Sequence, residues 1–128
     1  MSSALGTIII YARDMQKTAN FYREHFGFQT TGEVVEGLIE LRSPTPGADI
    51  LVHQAAKSVK LGHAGVKLSF HVRDIEAFVQ GAKRRGLEFG PIHQANGYSF
   101  ANAKDPDNNS IGISSRSFRE STDASDIS

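Results

Sequence analysis

The chain is written twice. The stretch TIIIYARDMQKTANFYREHFGF, residues 7–28, lies over KLSFHVRDIEAFVQGAKRRGLEF, residues 67–89. Each copy opens on a strand-like run and reaches Arg-Asp. Each then continues in a helical pattern and stops at a glycine followed by an apolar residue. Asp74 lies 60 residues after Asp14, and Gly86 lies 59 after Gly27. Self-similarity of this kind constrains the fold more than any single motif does. Each copy is one supersecondary unit that cannot bury its apolar face alone.

Periodicity fills in the unit. Leu68, Phe70 and Val72 alternate with Lys67, Ser69, His71 and Arg73, the two-residue period of a strand. Ile8, Ile9 and Ile10 are apolar on both faces, as in a strand covered on both sides. Asp14 and Asp74 then serve as helix N-caps, their carboxylates accepting orphan backbone N–H groups. Met15, Ala19, Tyr22 and Phe26 form the apolar stripe of the first helix; Ile75, Phe78, Val79 and Ala82 form that of the second. Gly27 and Gly86 suit the left-handed position that ends a helix.

Short β-like segments follow each helix: residues 30–35, 38–42 and 49–53 in the first half, and 87–92, 98–103 and 110–114 in the second. The expected fold class is α+β, two tandem β-α-β-β-β units whose curved sheets surround a cleft. The units span residues 1–56 and 66–115, residues 57–65 link them, and residues 116–128 read as a frayed, disordered tail of low apolar content. One unit covers one face of its sheet with its helix. The other face is where a site should be sought.

Composition removes several function classes. A chain of 128 residues buries about two thirds of its unfolded surface and needs no covalent staple. It has no cysteine, so disulfides, thiolate nucleophiles and Cys-type zinc sites are excluded, and a reducing, cytoplasmic setting is the expectation. With 14 basic and 14 acidic residues the formal charge is zero, which offers no field for nucleic acid or an anionic membrane. The N-terminal apolar run, Ile8 to Tyr11, is too short for a signal peptide or a span. No nucleophile elbow, P-loop, dinucleotide fingerprint or paired-histidine zinc motif is present.

Paired β-α-β-β-β units with RD…FY…GF in the first half and DPDNNSIGI (105–113) near the end resemble the vicinal oxygen chelate superfamily. That group includes glyoxalase I, the extradiol dioxygenases, methylmalonyl-CoA epimerase and the fosfomycin- and bleomycin-resistance proteins. The resemblance covers about residues 5–115. Its usual turn, D-P-[DE]-G-N, has Asn108 in place of glycine, and asparagine tolerates the left-handed conformation that the turn requires.

The resemblance implies a divalent metal held by a His or Gln at the start of the first strand of each unit and by a Glu just past the turn. Here those positions carry Thr7, Lys67 and Gly112, with Leu51 as the first-half counterpart of Gly112. None is an imidazole or a carboxylate, and the flanking Ile50, Val52, Ile111 and Ile113 are apolar too. No cofactor is therefore expected, with a divalent metal as the alternative. Acidic members of the family sequester cationic drugs; this chain is neutral, which disfavours a strongly cationic ligand.

The leading expectation is a superfamily member that binds a small molecule in the cleft through Thr7, Tyr11, Leu51, His53, Lys67, Ser69, His71, Tyr98 and Gly112. The alternative is an enzyme of the same superfamily, a lyase, isomerase or dioxygenase. It would use non-standard metal ligands such as His53 and His71, or Lys67 as a base or anion holder if burial lowers its pKa. Tyr98, Phe100 and Asn102 alternate on a late strand and line a cleft or fill a core. Arg13, Arg73 and His25 read as solvated, His63 as linker and His93 as loop. Phe21 and Tyr22 read as packing. Asp105 and Asp107 read as turn formers on an exposed loop and not as a catalytic pair. A homodimer is expected, and neither nucleic acid nor membrane as a partner.

Overall fold

A computed structural model describes residues 2–120. Its elements are β1 (Thr7–Ala12), α1 (Met15–Phe26), β2 (Leu38–Leu41), β3 (Asp49–Gln54), β4 (Lys67–His71), α2 (Ile75–Arg84), β5 (His93–Gln94), β6 (Ser99–Lys104) and β7 (Ser110–Ser114), followed by a 3₁₀ turn at Arg116–Phe118. The fold is α+β with two helices and two sheets, ordered β1-β3-β2 and β4-β7-β6-β5. Two compact units result. The first contains Met1–Gly65 together with Asp105–Asn109, and the second contains Val66–Lys104 and the chain from Ser110 onward.

The repeat predicts the helix ends well. Asp14 accepts from the Lys17 amide at 3.1 Å, and Asp74 from the Ala77 amide at 3.0 Å. Gly27 sits at φ 76° and Gly86 at φ 90°. In both units the first and last strands are parallel neighbours: β1 runs beside β3, with Ile9 opposite Leu51, and β4 beside β7, with Ser69 opposite Gly112.

In the first unit α1 packs on one face of its sheet. Ile39, Leu41, Ile50 and Val52 are buried there with Thr18, Ala19 and Tyr22 of the helix. Tyr22 meets Phe21 and Phe28 edge-on, at ring-centroid distances of 5.1 and 6.3 Å. In the second unit the buried apolar side chains include Leu87, Ala101, Ile111 and Ile113 with Ile75 and Ala82 of α2.

Two expected strands are missing, and each has a local cause. Residues 30–35 keep only the isolated bridge of Val35 to Leu38, with another from Gln29 to Arg42 just before them. The Thr30 and Thr31 hydroxyls accept from the Gly32 and Glu33 amides, a side-chain alternative that competes with a ladder. Residues 87–92 form no strand either. Gly90 and Pro91 interrupt them, and proline has no N–H to offer. His93, expected in a loop, opens β5.

The DPDNN turn corrects the sequence reading most. Asp105 and Asp107 are buried, 5 % and 9 % exposed, where an exposed loop was expected. Asp105 accepts from the Tyr22 hydroxyl (2.7 Å), the Asp107 and Asn109 amides and the Asn109 side chain (2.9 Å each). Asp107 accepts from the Thr18 hydroxyl at 2.8 Å and the Arg13 amide at 3.0 Å. A buried carboxylate is tolerable only with such saturation. Asn108 takes φ 67°, as its place in the turn requires.

Three side chains expected to be solvated are engaged. Arg13 donates to the carbonyls of Ala56 (3.0 Å) and Val59 (2.6 Å). His25 is half-buried, its ring 4.8 Å from that of Phe21. The Arg73 guanidinium lies 4.2 Å from the Phe118 ring centroid, so the chain after β7 is structured through residue 118 where a frayed tail was expected. The remainder of that expected tail, from residue 121, falls outside the described residues.

Candidate functional site

Each sheet has a face turned away from its helix, and the strand register says which residues share it. On the first sheet the rows are Ile9, Leu51 and Glu40, then Tyr11, His53 and Leu38. Thr7 precedes them beside Asp49. Ile9 and Tyr11 are about half exposed, at 51 % and 52 %, although both are large and apolar or aromatic. The Tyr11 and His53 rings lie 5.7 Å apart. Four of the expected site residues, Thr7, Tyr11, Leu51 and His53, therefore share one face of one sheet.

On the second sheet the rows are Lys67, Ser110 and Lys104; then Ser69, Gly112 and Asn102; then His71, Ser114, Phe100 and His93. Lys67, Ser69, His71 and Gly112 again share a face. Tyr98 sits just before β6, its ring 6.3 Å from that of Phe100. Phe100 in turn stacks on His93 at 5.0 Å and 29°. His71 meets the Phe118 ring edge-on at 6.5 Å.

The strand past the turn carries no carboxylate at Gly112. Lys67 Nζ donates to Asn102 Oδ1 at 2.8 Å. The two side chains meet above Gly112. A Cβ on Gly112 would lie 3.2 Å from both Asn102 Oδ1 and Lys67 Cδ, and 3.3 Å from the Ala101 carbonyl. The place of a metal-binding glutamate is thus crossed by an ammonium–amide bridge. Lysine is a donor only, with no lone pair for a cation while protonated. Thr7, Leu51, Lys67 and Gly112 do not fit a divalent ion, and among the described residues no three His, Asp or Glu gather to hold one. Lys67 is exposed.

Sequence reasoning underweighted three residues here. Asn102 is the partner of Lys67 across two strand pairings, a relation that no spacing in one chain reveals. Lys104, whose Nζ donates to Ser110 Oγ at 3.0 Å, brings a second ammonium to the same row. His93, expected in a loop, joins Phe100 because β5 pairs it directly opposite that residue. The available signal was the charge content of the strands. No Asp or Glu lies on β4 to β7, and no Lys or Arg on β1 to β3.

A pocket of about 430 Å³ opens in the second unit at the start of α2, beside Arg73, Asp74, Glu76, Gln94, Ser99 and Ser115. Several of its polar groups are already engaged. Asp74 caps the helix, Ser99 Oγ donates to Gln94 at 2.9 Å, and Ser115 Oγ accepts from the Ser99 amide at 3.0 Å. The acidity of Tyr22 is strongly perturbed. Burial raises its pKa above the ordinary tyrosine range, helped by the Asp105 charge and hydrogen bond and by the Asp107 charge. That network joins helix and turn. No described helix is long and apolar enough to cross a membrane.

Two helix-backed sheets, each with its first and last strands as parallel neighbours, and a Lys–Asn donor pair over Gly112 are the features that a family assignment must fit. Residues 4–113 match the family model of the Glyoxalase/Bleomycin resistance protein/Dioxygenase superfamily, and the chain belongs to that superfamily. Similar solved structures include TnmS3, an antibiotic-binding protein from Streptomyces sp. CB03234, with TM-score 0.73 and 19 % identity over 88 % of this chain and 94 % of that one. A lactoylglutathione lyase from Agrobacterium tumefaciens gives TM-score 0.69 and 18 % identity over 89 % and 94 %. An integron cassette protein from the V. cholerae mobile metagenome gives TM-score 0.68 and 23 % identity over 89 % and 95 %. At these identities the likeness is one of fold. A search of curated protein sequences finds no match.

Proposed function

We propose that this chain binds a small organic molecule on the open faces of its sheets without the help of a divalent metal. The observation that carries the reading is the Lys67–Asn102 bridge over Gly112, which puts donors where the superfamily's chelating carboxylate would be. The exposed Ile9 and Tyr11 supply apolar and aromatic surface of the kind that small-molecule sites use. The antibiotic-binding neighbour shows that the scaffold serves binding as well as catalysis, and the lyase neighbour is the reminder that fold alone selects neither. The same exposed apolar surface supports a homodimer as the assembled form.

The test is a spectrum of isotope-labelled protein, stripped with a chelator, against a panel of neutral and charged aromatic and aliphatic probes. Amide shifts should fall on residues of β1 and β3 or of β4, β6 and β7, and should persist with chelator present. Near-stoichiometric uptake of Mn, Fe, Ni, Co or Zn, with probe binding restored only by that metal, would sink the reading.

A further inference from the structure

We propose that the second sheet selects an anion, and specifically an aromatic carboxylate or an aromatic group with an equivalent oxyanion. The inference rests on the binding reading above and sharpens it to a ligand class. The starting point is proton direction. Lys67 can only donate, so the Asn102 amide must turn its oxygen toward the ammonium and its NH₂ away. Ser110 Oγ likewise accepts from Lys104, which leaves its own proton to give. The cluster thus presents donors outward: two ammonium groups, an amide NH₂ and a hydroxyl.

Nothing on the sheet opposes them. None of the four strands carries an Asp or Glu. Lys67 and Lys104 lie on the outer strands of one row with Ser110 between, so their backbones are roughly 10 Å apart at about 4.8 Å per strand spacing. Charge at that separation acts jointly on a ligand between them. Gly112 beneath the bridge adds no side chain to fill the floor.

The aromatic half of the ligand is set by the next row. Phe100 is two residues from Asn102 on the same strand and the same face, so its ring base is about 7 Å from the donors. Phe100 is already stacked on His93 and flanked by Tyr98, which makes a preformed platform. An aryl ring over Phe100 places a directly attached carboxylate toward Asn102 and Lys67.

The experiment compares three isosteric probes, 2-naphthoate, 2-naphthamide and 2-naphthylmethylammonium, by calorimetry and amide shifts on the full chain. Naphthoate is expected to bind most tightly, with shifts at Lys67, Asn102 and Gly112, and to weaken as salt is added. Lys67→Met should cost it roughly tenfold or more, and Asn102→Asp a similar factor, while the amide is left nearly unaffected. Equal or tighter binding of the amide or ammonium on this face would overturn the anion assignment and leave the small-molecule reading standing. Naphthoate shifts confined to other elements, or an unchanged affinity in Lys67→Met, would also overturn it. If no probe of any charge moves an amide of either sheet, both readings fall together.

Discussion

The first sheet carries Glu40 and Asp49 on its strands and no basic residue; the second carries Lys67 and Lys104 and no acidic one. Both are laid out alike, with parallel first and last strands and an aspartate-capped helix on one face. A chain of zero formal charge therefore hides a partition, sheet by sheet, that a net value erases. The helices differ as sharply. Tyr22 in α1 stands at the repeat position of Ala82 in α2, and both are fully buried. One unit fills its core with a large side chain that needs a polar partner, the other with a methyl group. The two units share their caps and strand layout and differ in their sheet faces and helix undersides.

The largest expected effect tests that helix contrast. Tyr22→Ala should destabilise the fold by about 3–5 kcal/mol, through a cavity and the loss of the Asp105 hydrogen bond. Ala82→Gly should cost only about 1 kcal/mol. Denaturant midpoints of the two variants measure the asymmetry, and comparable losses would erase it. Tyr22 also gives a pH signature. Folding raises its pKa above the unfolded value of about 10, so the folded state holds the proton more tightly. Its contribution is full below that pH and declines as pH rises past it. Tyr22→Phe should flatten this part of the alkaline stability profile.

Next in size is Gly112→Ala on the second sheet. The new methyl meets Asn102, Lys67 and the Ala101 carbonyl at 3.2–3.3 Å, and overpacking of this kind costs about 1–3 kcal/mol. Combined with Lys67→Ala, part of that cost should vanish, with a coupling of about 0.5 kcal/mol or more in a double-mutant cycle. Full additivity would mean that the Ala101 carbonyl alone sets the limit. The smallest effect belongs to the shared feature. Asp14→Ala and Asp74→Ala should each cost about 1 kcal/mol in thermal unfolding, and nearly the same amount, because the caps are alike at 3.1 and 3.0 Å.

The repeat made the helices and their ends legible, because Asp14, Asp74, Gly27 and Gly86 act on neighbours within one turn. Strands β3 and β7 were legible for the same reason, lying between clear breakers. Residues 30–35 and 87–92 misled because β-prone composition gave way to local competitors, the Thr30 and Thr31 hydroxyls and Pro91. That Thr7, Leu51, Lys67 and Gly112 offer neither imidazole nor carboxylate was readable from residue type alone. What fills the Gly112 gap was not, since Asn102 reaches it only through the β7 register. The burial of Asp105 and Asp107 was illegible in principle, for their partners stand 83 to 94 residues earlier.

That distance has a consequence in time. On a ribosome adding roughly 5–20 residues per second, the interval between Tyr22 and Asp105 is on the order of 4–17 s. Once β3 is made α1 has its sheet, but it still lacks the acceptors for Tyr22 and Thr18 until residues 105 and 107 follow. The first unit is begun first and finished almost last, because residues 105–109 belong to it. The halves of this gene therefore cannot be cut at the repeat boundary and expressed as two self-sufficient pieces: the earlier product would leave the ribosome without its closing turn.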